Sequence, residues 1–220
     1  MTGYIYDRFS FNDEYKAEVI EFIKHNTNVE IGGFQIYDGS GTHLLQNPYE
    51  IVDFIFALKK HEKETGKKFN SFLEIGFNAG INNTLLNKFF RFNEIVAVDI
   101  FSSRINGFTL KGNLMHKNLC LICGDSTSQR VIDKVGMLGK YDLIFIDADH
   151  TYEYVKKDFF NYKGFLNESG VIGFHDIDNP DCPGVNEFWK ELKKAGEYAQ
   201  QEFVCKGYPL QYGIGMLKLK

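Results

Sequence analysis

The stretch 72-FLEIGFNAG-80 decides how the chain is read. An apolar run too short for a helix meets Glu74, and Gly76 and Gly80 then bracket Phe77, Asn78 and Ala79. Glycines in such a place let the backbone turn sharply from a strand into a helix and pass close to a ligand. Further on, four short apolar runs follow: 94-EIVAVDI-100, 118-NLCLICGD-125, 141-YDLIFIDAD-149 and 170-GVIGFHD-176. Continuous apolar runs separated by helical material indicate a parallel sheet covered on both faces.

The intervening segments carry the helical period. Val155, Phe159, Tyr162 and Leu166 repeat on one face, as do Val185, Phe188, Trp189 and Leu192. Ahead of the first strand, Asn12 or Asp13 caps a helix through Tyr15, Val19, Phe22 and Ile23, and Asn47-Pro48 opens another that stops before Gly66. The tail 201-QEFVCKGYPLQYGIGMLKL-219 reads as a hairpin that closes the sheet with one antiparallel strand. The expected fold is α/β, doubly wound and Rossmann-like, with seven mostly parallel strands. One domain is expected over 1–220, with a helical extension and substrate-side loop at 1–66 and the core at 67–220.

With 220 residues, a net charge of −4, 44% hydrophobic and 25% charged residues, the chain has the composition of an ordinary globular protein. The acidic balance argues against nucleic acid or an anionic membrane as a partner. The first residues, MTGYIYDRFSFNDEYKAEV, show no basic segment leading into an apolar run, so a cytoplasmic location is expected. Cys120 and Cys123 form a CxxC inside a strand, where side chains three apart face opposite ways. They read as buried thiols. His25, His43, His61 and His116 read as solvated, with His43 of most interest because it ends the loop 32-GGFQIYDGSGTH-43.

Ligands of a doubly wound sheet bind beyond the carboxyl ends of its strands. Here those ends carry Glu74 with Gly76 and Gly80, then Asp99, then Gly124 with Asp125, then Asp147 with Asp149 and His150, and last His175 with Asp176. Asp is disfavoured in strands and costly to bury unpaired, so the ordered set points to a ligand site. The glycine pattern lacks the third glycine of a dinucleotide fingerprint, and Glu74 would repel a phosphate.

LEIGFNAG, VAVDI, GDS, FIDADHTYE and IGFHDI together resemble the class I S-adenosylmethionine-dependent methyltransferases. Within them the chain is similar to the branch of the macrocin and related sugar O-methyltransferases and the cephalosporin-hydroxylase-like proteins, over about residues 70 to 190. The resemblance implies that Glu74, Gly76, Phe77, Asn78 and Gly80 surround the amino acid portion of S-adenosylmethionine. Glu74 would sit near the ammonium or order the loop. Asp99 would take both ribose hydroxyls, Gly124, Asp125 and Ser126 the adenine edge, and Asp147 would border the cofactor as well as the chemistry.

It further implies a divalent cation, Mg²⁺ or Mn²⁺, held by Asp147, His175 and Asp176, and His150 as general base. The catalytic set would be His150, His175 and Asp147. His175 stands where that branch often has a carboxylate, and an imidazole suits Mn²⁺, Fe²⁺ or Zn²⁺ better than Mg²⁺. A base-only site remains the alternative, with His150 or His175 oriented by Asp149 or Asp176. The expected function is O-methylation of a sugar, glycoside or other small hydroxylated acceptor by an enzyme that could dimerise through its N-terminal helices. The alternatives are another enzyme on the same fold, NAD-linked or nucleotide-sugar-modifying, and a non-catalytic binding module. Asp178, Asn179 and Asp181 are candidate acceptor contacts.

Overall fold

A computed structural model of the chain describes residues 4–25, 46–78, 80–101, 117–207 and 211–219. The loop 32–43, with His43, and also His116 lie outside the described residues. The helices are α1 (Tyr4–Asp7), α2 (Asp13–His25), α3 (Pro48–Thr65), α4 (Ile81–Phe90), α5 (Gln129–Leu138), α6 (Tyr152–Tyr162) and α7 (Pro183–Ala195). The strands are β1 (Ser71–Ile75), β2 (Glu94–Asp99), β3 (Leu119–Cys123), β4 (Tyr141–Ile146), β5 (Leu166–Phe174), β6 (Tyr198–Phe203) and β7 (Ile214–Leu219). They form one sheet in the order β3-β2-β1-β4-β5-β7-β6. β7 runs antiparallel to both β5 and β6, and the pairings of β1 to β5 are parallel.

The apolar runs divide by alternation. Phe72, Leu143 and Phe145 face a core shared with α2, α3 and α4, whereas Leu73, Ile75, Ile144 and Ile146 face a second core shared with α5, α6 and α7. Both faces being covered is why the strands read as unbroken hydrophobic runs rather than alternating ones.

Local sequence sets the helix ends. Asn12 Oδ1 accepts from the Tyr15 amide at 2.7 Å, and Asn47 Oδ1 from the Tyr49 amide at 2.9 Å, each satisfying an amide that has no partner inside its helix. Pro48 occupies the first turn, and Gly66 ends α3 in the left-handed region at φ 68°.

Three expectations need correction. Leu166 belongs to β5 and not to the helix before it: α6 ends at Tyr162, a 3₁₀ turn spans Lys163–Phe165, and Leu166 pairs with Tyr141 across a register shift. Asn167 pins that early start by donating to Asp142 Oδ1 at 2.7 Å. Cys120 and Cys123 are exposed and not buried, because β3 is the edge of the sheet. His61 is not simply solvated: its Nε2 lies 2.8 Å from the Ser169 carbonyl and its ring stacks on Phe69.

Phe54 anchors α3 to the sheet, fully buried with ring centroids 5.7 Å from Phe145 and 5.8 Å from Phe203. Phe54→Ala is expected to cost about 3–5 kcal/mol of stability through the cavity it leaves. Urea denaturation measures this, and a loss below about 1 kcal/mol would mean that α3 is not held this way.

Candidate active site

The strand order reverses between β1 and β4, and their carboxyl ends open a crevice where ligands of such sheets bind. Gly76 and Asp147 flank it. Gly76 has φ 93°, and a Cβ built there would lie 2.0 Å from the Asp147 carbonyl oxygen. No side chain fits in that space. Asn78 follows in the left-handed region at φ 48°, and at Gly80 a Cβ would strike the Phe77 ring at 2.3 Å.

The loop that these residues make is clamped by the end of β2. The amides of Phe77 and Asn78 donate to Asp99 Oδ2 at 2.9 and 2.7 Å, and the Phe101 amide donates to Oδ1 at 2.7 Å. Asp99 therefore meets the glycine loop directly, and its Oδ1 carries a single amide among the described residues. Glu74 turns away from the crevice: Asn82 and Asn83 donate from Nδ2 to its two oxygens at 2.8 and 2.9 Å, tying β1 to the first turn of α4. Burial raises its carboxyl to about 8, against the lowering effect of the two amides.

At the end of β3 the Asp125 carboxylate is engaged locally, its Oδ1 accepting from the Thr127 amide and hydroxyl, each at 2.8 Å. Gly124 before it has φ 153°. Ser126 is buried, and its carbonyl accepts from the Tyr162 hydroxyl at 2.6 Å.

Beyond β4 and β5 the ionisable groups converge. His175 Nδ1 lies 3.2 Å from Asp147 Oδ1 and 3.1 Å from Asp176 Oδ2, while His150 Nε2 lies 3.6 and 3.2 Å from the same two oxygens. Asp176 holds its place at φ 62°, a left-handed conformation that a non-glycine residue adopts at a cost. Asn179 donates to its Oδ1 at 2.6 Å, leaving Oδ2 to both imidazoles. Asp149 takes no part, since its Oδ1 accepts from the Thr151 amide and hydroxyl.

Charge follows from this packing. Burial by itself would lower His175, but the facing Asp147 and Asp176 outweigh it and hold the imidazole well above its usual 6.5. Burial likewise opposes ionisation of Asp147, and the two histidines overcome it, holding the carboxyl at about 2. The hydrogen bond that His150 donates to Asp147 raises the imidazole above its usual 6.5. Asp147, His175 and Asp176 bring three donor atoms within 4.8 Å of one another, so they fit a divalent cation. The Nε2 of His175 is buried without a hydrogen-bond partner among the described residues.

Sequence reading missed three residues here. Cys182, at the start of α7, lies with Sγ 3.1 Å from His150 Nδ1. Asp158 is completely buried beneath Ser126, and burial raises it to about 7. Glu50 reaches from α3 to accept the amides of Cys205 and Gly213 at 2.9 and 2.8 Å, anchoring the strand ends behind His175. None of these is signalled by spacing, because each pairing joins distant parts of the chain. A recess lined by Lys67, Phe69, Asp142 and Ser169 lies at the opposite, amino-terminal end of β1 and β4.

Residues 73–177 match the family described as "Methyltransferase domain". Over these residues the chain is similar to that methyltransferase family. The matched span runs from within β1 to just past β5 and contains the carboxyl ends of β1 to β5. An uncharacterized protein of Acanthamoeba polyphaga mimivirus is 26% identical over 155 residues, covering 65% of this chain and 70% of that one.

Among solved structures, the O-methyltransferase TomG from Streptomyces achromogenes, in complex with S-adenosylmethionine, aligns with a TM-score of 0.61 at 12% identity over 96% of this chain and 100% of that one. CalS11, a TDP-rhamnose 3'-O-methyltransferase, aligns at 0.55 and 14% over 96% and 97%. MycE, in complex with Mg, S-adenosylhomocysteine and mycinamycin VI, aligns at 0.53 and 16% over 74% of this chain and 48% of that one, so this chain spans about half its length. At these identities the structures show a shared fold. No helix among the described residues is long and apolar enough to cross a membrane.

The Glu74 carboxyl links the methyltransferase loop to stability. Its folded pKa of about 8 lies above the ordinary 4.5, so its contribution is fully present below 4.5 and is lost as pH rises toward 8. Glu74→Gln is therefore expected to remove a fall in stability across that window. Urea midpoints of both proteins against pH test this, and parallel curves would contradict it.

Proposed function

We propose that the chain transfers the methyl group of S-adenosylmethionine to a hydroxyl oxygen of a small hydroxylated acceptor, a sugar or glycoside fitting best, with His150 as proton acceptor and a divalent cation assisting. The observation that carries this reading is the contact at the crevice: the glycine loop presses on the backbone of Asp147, whose carboxylate faces both histidines. The cofactor loop and the proton-handling groups thus share one wall. The likeness in fold to CalS11, a TDP-rhamnose 3'-O-methyltransferase, and to MycE, seen in complex with Mg, supports the sugar and the cation.

In this reading Asp99, beside the loop, takes the ribose hydroxyls through the remaining lone pairs of its carboxylate. S-adenosylmethionine supplies the electrophilic methyl group. His150 presents Nε2 toward Asp147 and Asp176, where an acceptor hydroxyl would lie, and takes the hydroxyl proton as the oxygen–carbon bond forms and the carbon–sulfur bond breaks. Cys182 at Nδ1 orients the ring for that transfer. Asp147, Asp176 and His175 would hold a divalent cation, which when bound would acidify the acceptor hydroxyl and fix its direction. One imidazole among the donors favours Mn²⁺ over Mg²⁺ relative to an all-carboxylate set.

Incubation with S-adenosylmethionine and a panel of free and nucleotide-linked sugars, read by mass spectrometry, is expected to yield a monomethylated product and S-adenosylhomocysteine. His150→Ala should lower turnover by roughly 10²–10⁴-fold, the usual contribution of a general base. In chelator-treated protein the rate should rise with pH through a value above 6.5, because Asp147 raises His150 and only the neutral imidazole accepts a proton. Added Mn²⁺ should move that limb to lower pH by repelling the imidazolium. An unchanged rate in His150→Ala would remove it from the mechanism.

A further inference from the structure

Cys182 stands against His150 because the backbone leaves it nowhere else to go. A Cβ at Gly184 would lie 2.2 Å from the Tyr152 amide nitrogen and 2.6 Å from the His150 carbonyl oxygen, so the start of α7 is pressed directly onto the 150–152 segment. The thiol is buried, with Sγ 3.1 Å from His150 Nδ1 and in hydrogen-bonding contact with Asp176 as well. Sulfur, imidazole nitrogen and carboxylate oxygen from Cys182, His150 and Asp176 all lie within 4.8 Å of one another. Two of the three residues are buried, so this is no surface cluster.

The donor chemistry differs from that of the neighbouring set. Asp147, His175 and Asp176 offer two hard carboxylates. A thiolate, an imidazole and one carboxylate are the ligands of a borderline-soft ion, and three protein ligands leave a fourth position for water. We infer that Cys182, His150 and Asp176 form a second cation site, specific for Zn²⁺ or a similar thiophilic divalent ion, which adjoins the carboxylate-rich site and shares Asp176 with it.

Filling the site forms a metal–sulfur bond as the Cys182 thiol proton leaves for solvent, and a metal–nitrogen bond through the lone pair of His150 Nδ1. An imidazole metallated at Nδ1 keeps its proton at Nε2 and has no lone pair left to accept another. Zn²⁺ is therefore an inhibitor of proton transfer to His150. The inhibition rests on the proposed role of His150, whereas the binding does not.

Cobalt titration reads the binding without any assay of activity. Co²⁺ added to the reduced protein is expected to give a near-ultraviolet thiolate-to-cobalt charge-transfer band that saturates at one equivalent and is erased by Zn²⁺ but not by equimolar Mg²⁺. The band should survive in the Cys120→Ser/Cys123→Ser/Cys205→Ser variant and vanish in Cys182→Ser. No band in the native protein, or a band that persists in Cys182→Ser, overturns the site. Should Cys182→Ser fail to fold, alkylation of the native protein decides the matter: Zn²⁺ must protect Cys182 from iodoacetamide, and equal labelling with and without Zn²⁺ overturns the site.

In the methyl-transfer assay, Cys182→Ser should need roughly tenfold more Zn²⁺ for half-inhibition. A cobalt band without zinc inhibition overturns the inhibitory half alone. A cobalt band in a protein that transfers no methyl group would leave the site standing and sink the proposed function.

Discussion

The absence of a side chain at Gly76 is the constraint on which the site depends. β1 and β4 are neighbours where the strand order reverses, and their ends pass tightly at Gly76 and the Asp147 carbonyl. A side chain at Gly76 would push the two strand ends apart. The close approach leaves the crevice open above it and brings the glycine loop, Asp99 and the histidine–carboxylate cluster to one wall. Hydrogen bonding repeats the constraint, as the Gly76 amide donates to Val98 and the Asp147 amide to Ile75, stitching β2, β1 and β4 together at their tips.

Electrostatics then selects the class of ligand. In a dinucleotide site the amides of the glycine loop point at a pyrophosphate. Here the Phe77 and Asn78 amides are taken by Asp99, and Asp147 adds a second ionised carboxylate nearby. A carboxylate beside a loop whose Phe77 and Asn78 amides are already taken repels a phosphate and attracts a cationic group. Asp147 and Asp176 keep the two histidines in their cationic forms more readily than water would.

Much of this was readable from residues in order. The unbroken apolar runs identified a two-faced parallel sheet because burial on both sides removes alternation, and the strand-end acids stood out because Asp is disfavoured in strands and costly to bury unpaired. Asn47-Pro48 and Gly66 bounded α3 through capping rules alone. Other features were illegible for a common reason. The Cys182–His150 contact, Glu50 behind His175, and Asp158 beneath Ser126 join residues far apart in sequence, and packing alone creates them. Leu166 kept a helical period yet became a strand, since pairing with Tyr141 outweighed the local pattern. The CxxC was read as buried because strand position in the sheet is invisible to a linear pattern.

Calorimetric titration with S-adenosylhomocysteine and with NAD, on the native chain and on Asp99→Ala, tests the central claim most directly, since Asp99 clamps the loop and would take the ribose. The account predicts micromolar binding of the sulfur nucleoside to the native protein, none of NAD, and loss of the nucleoside in the variant. Native protein that ignores S-adenosylhomocysteine, or a variant that binds it as tightly, would contradict the assignment of the crevice.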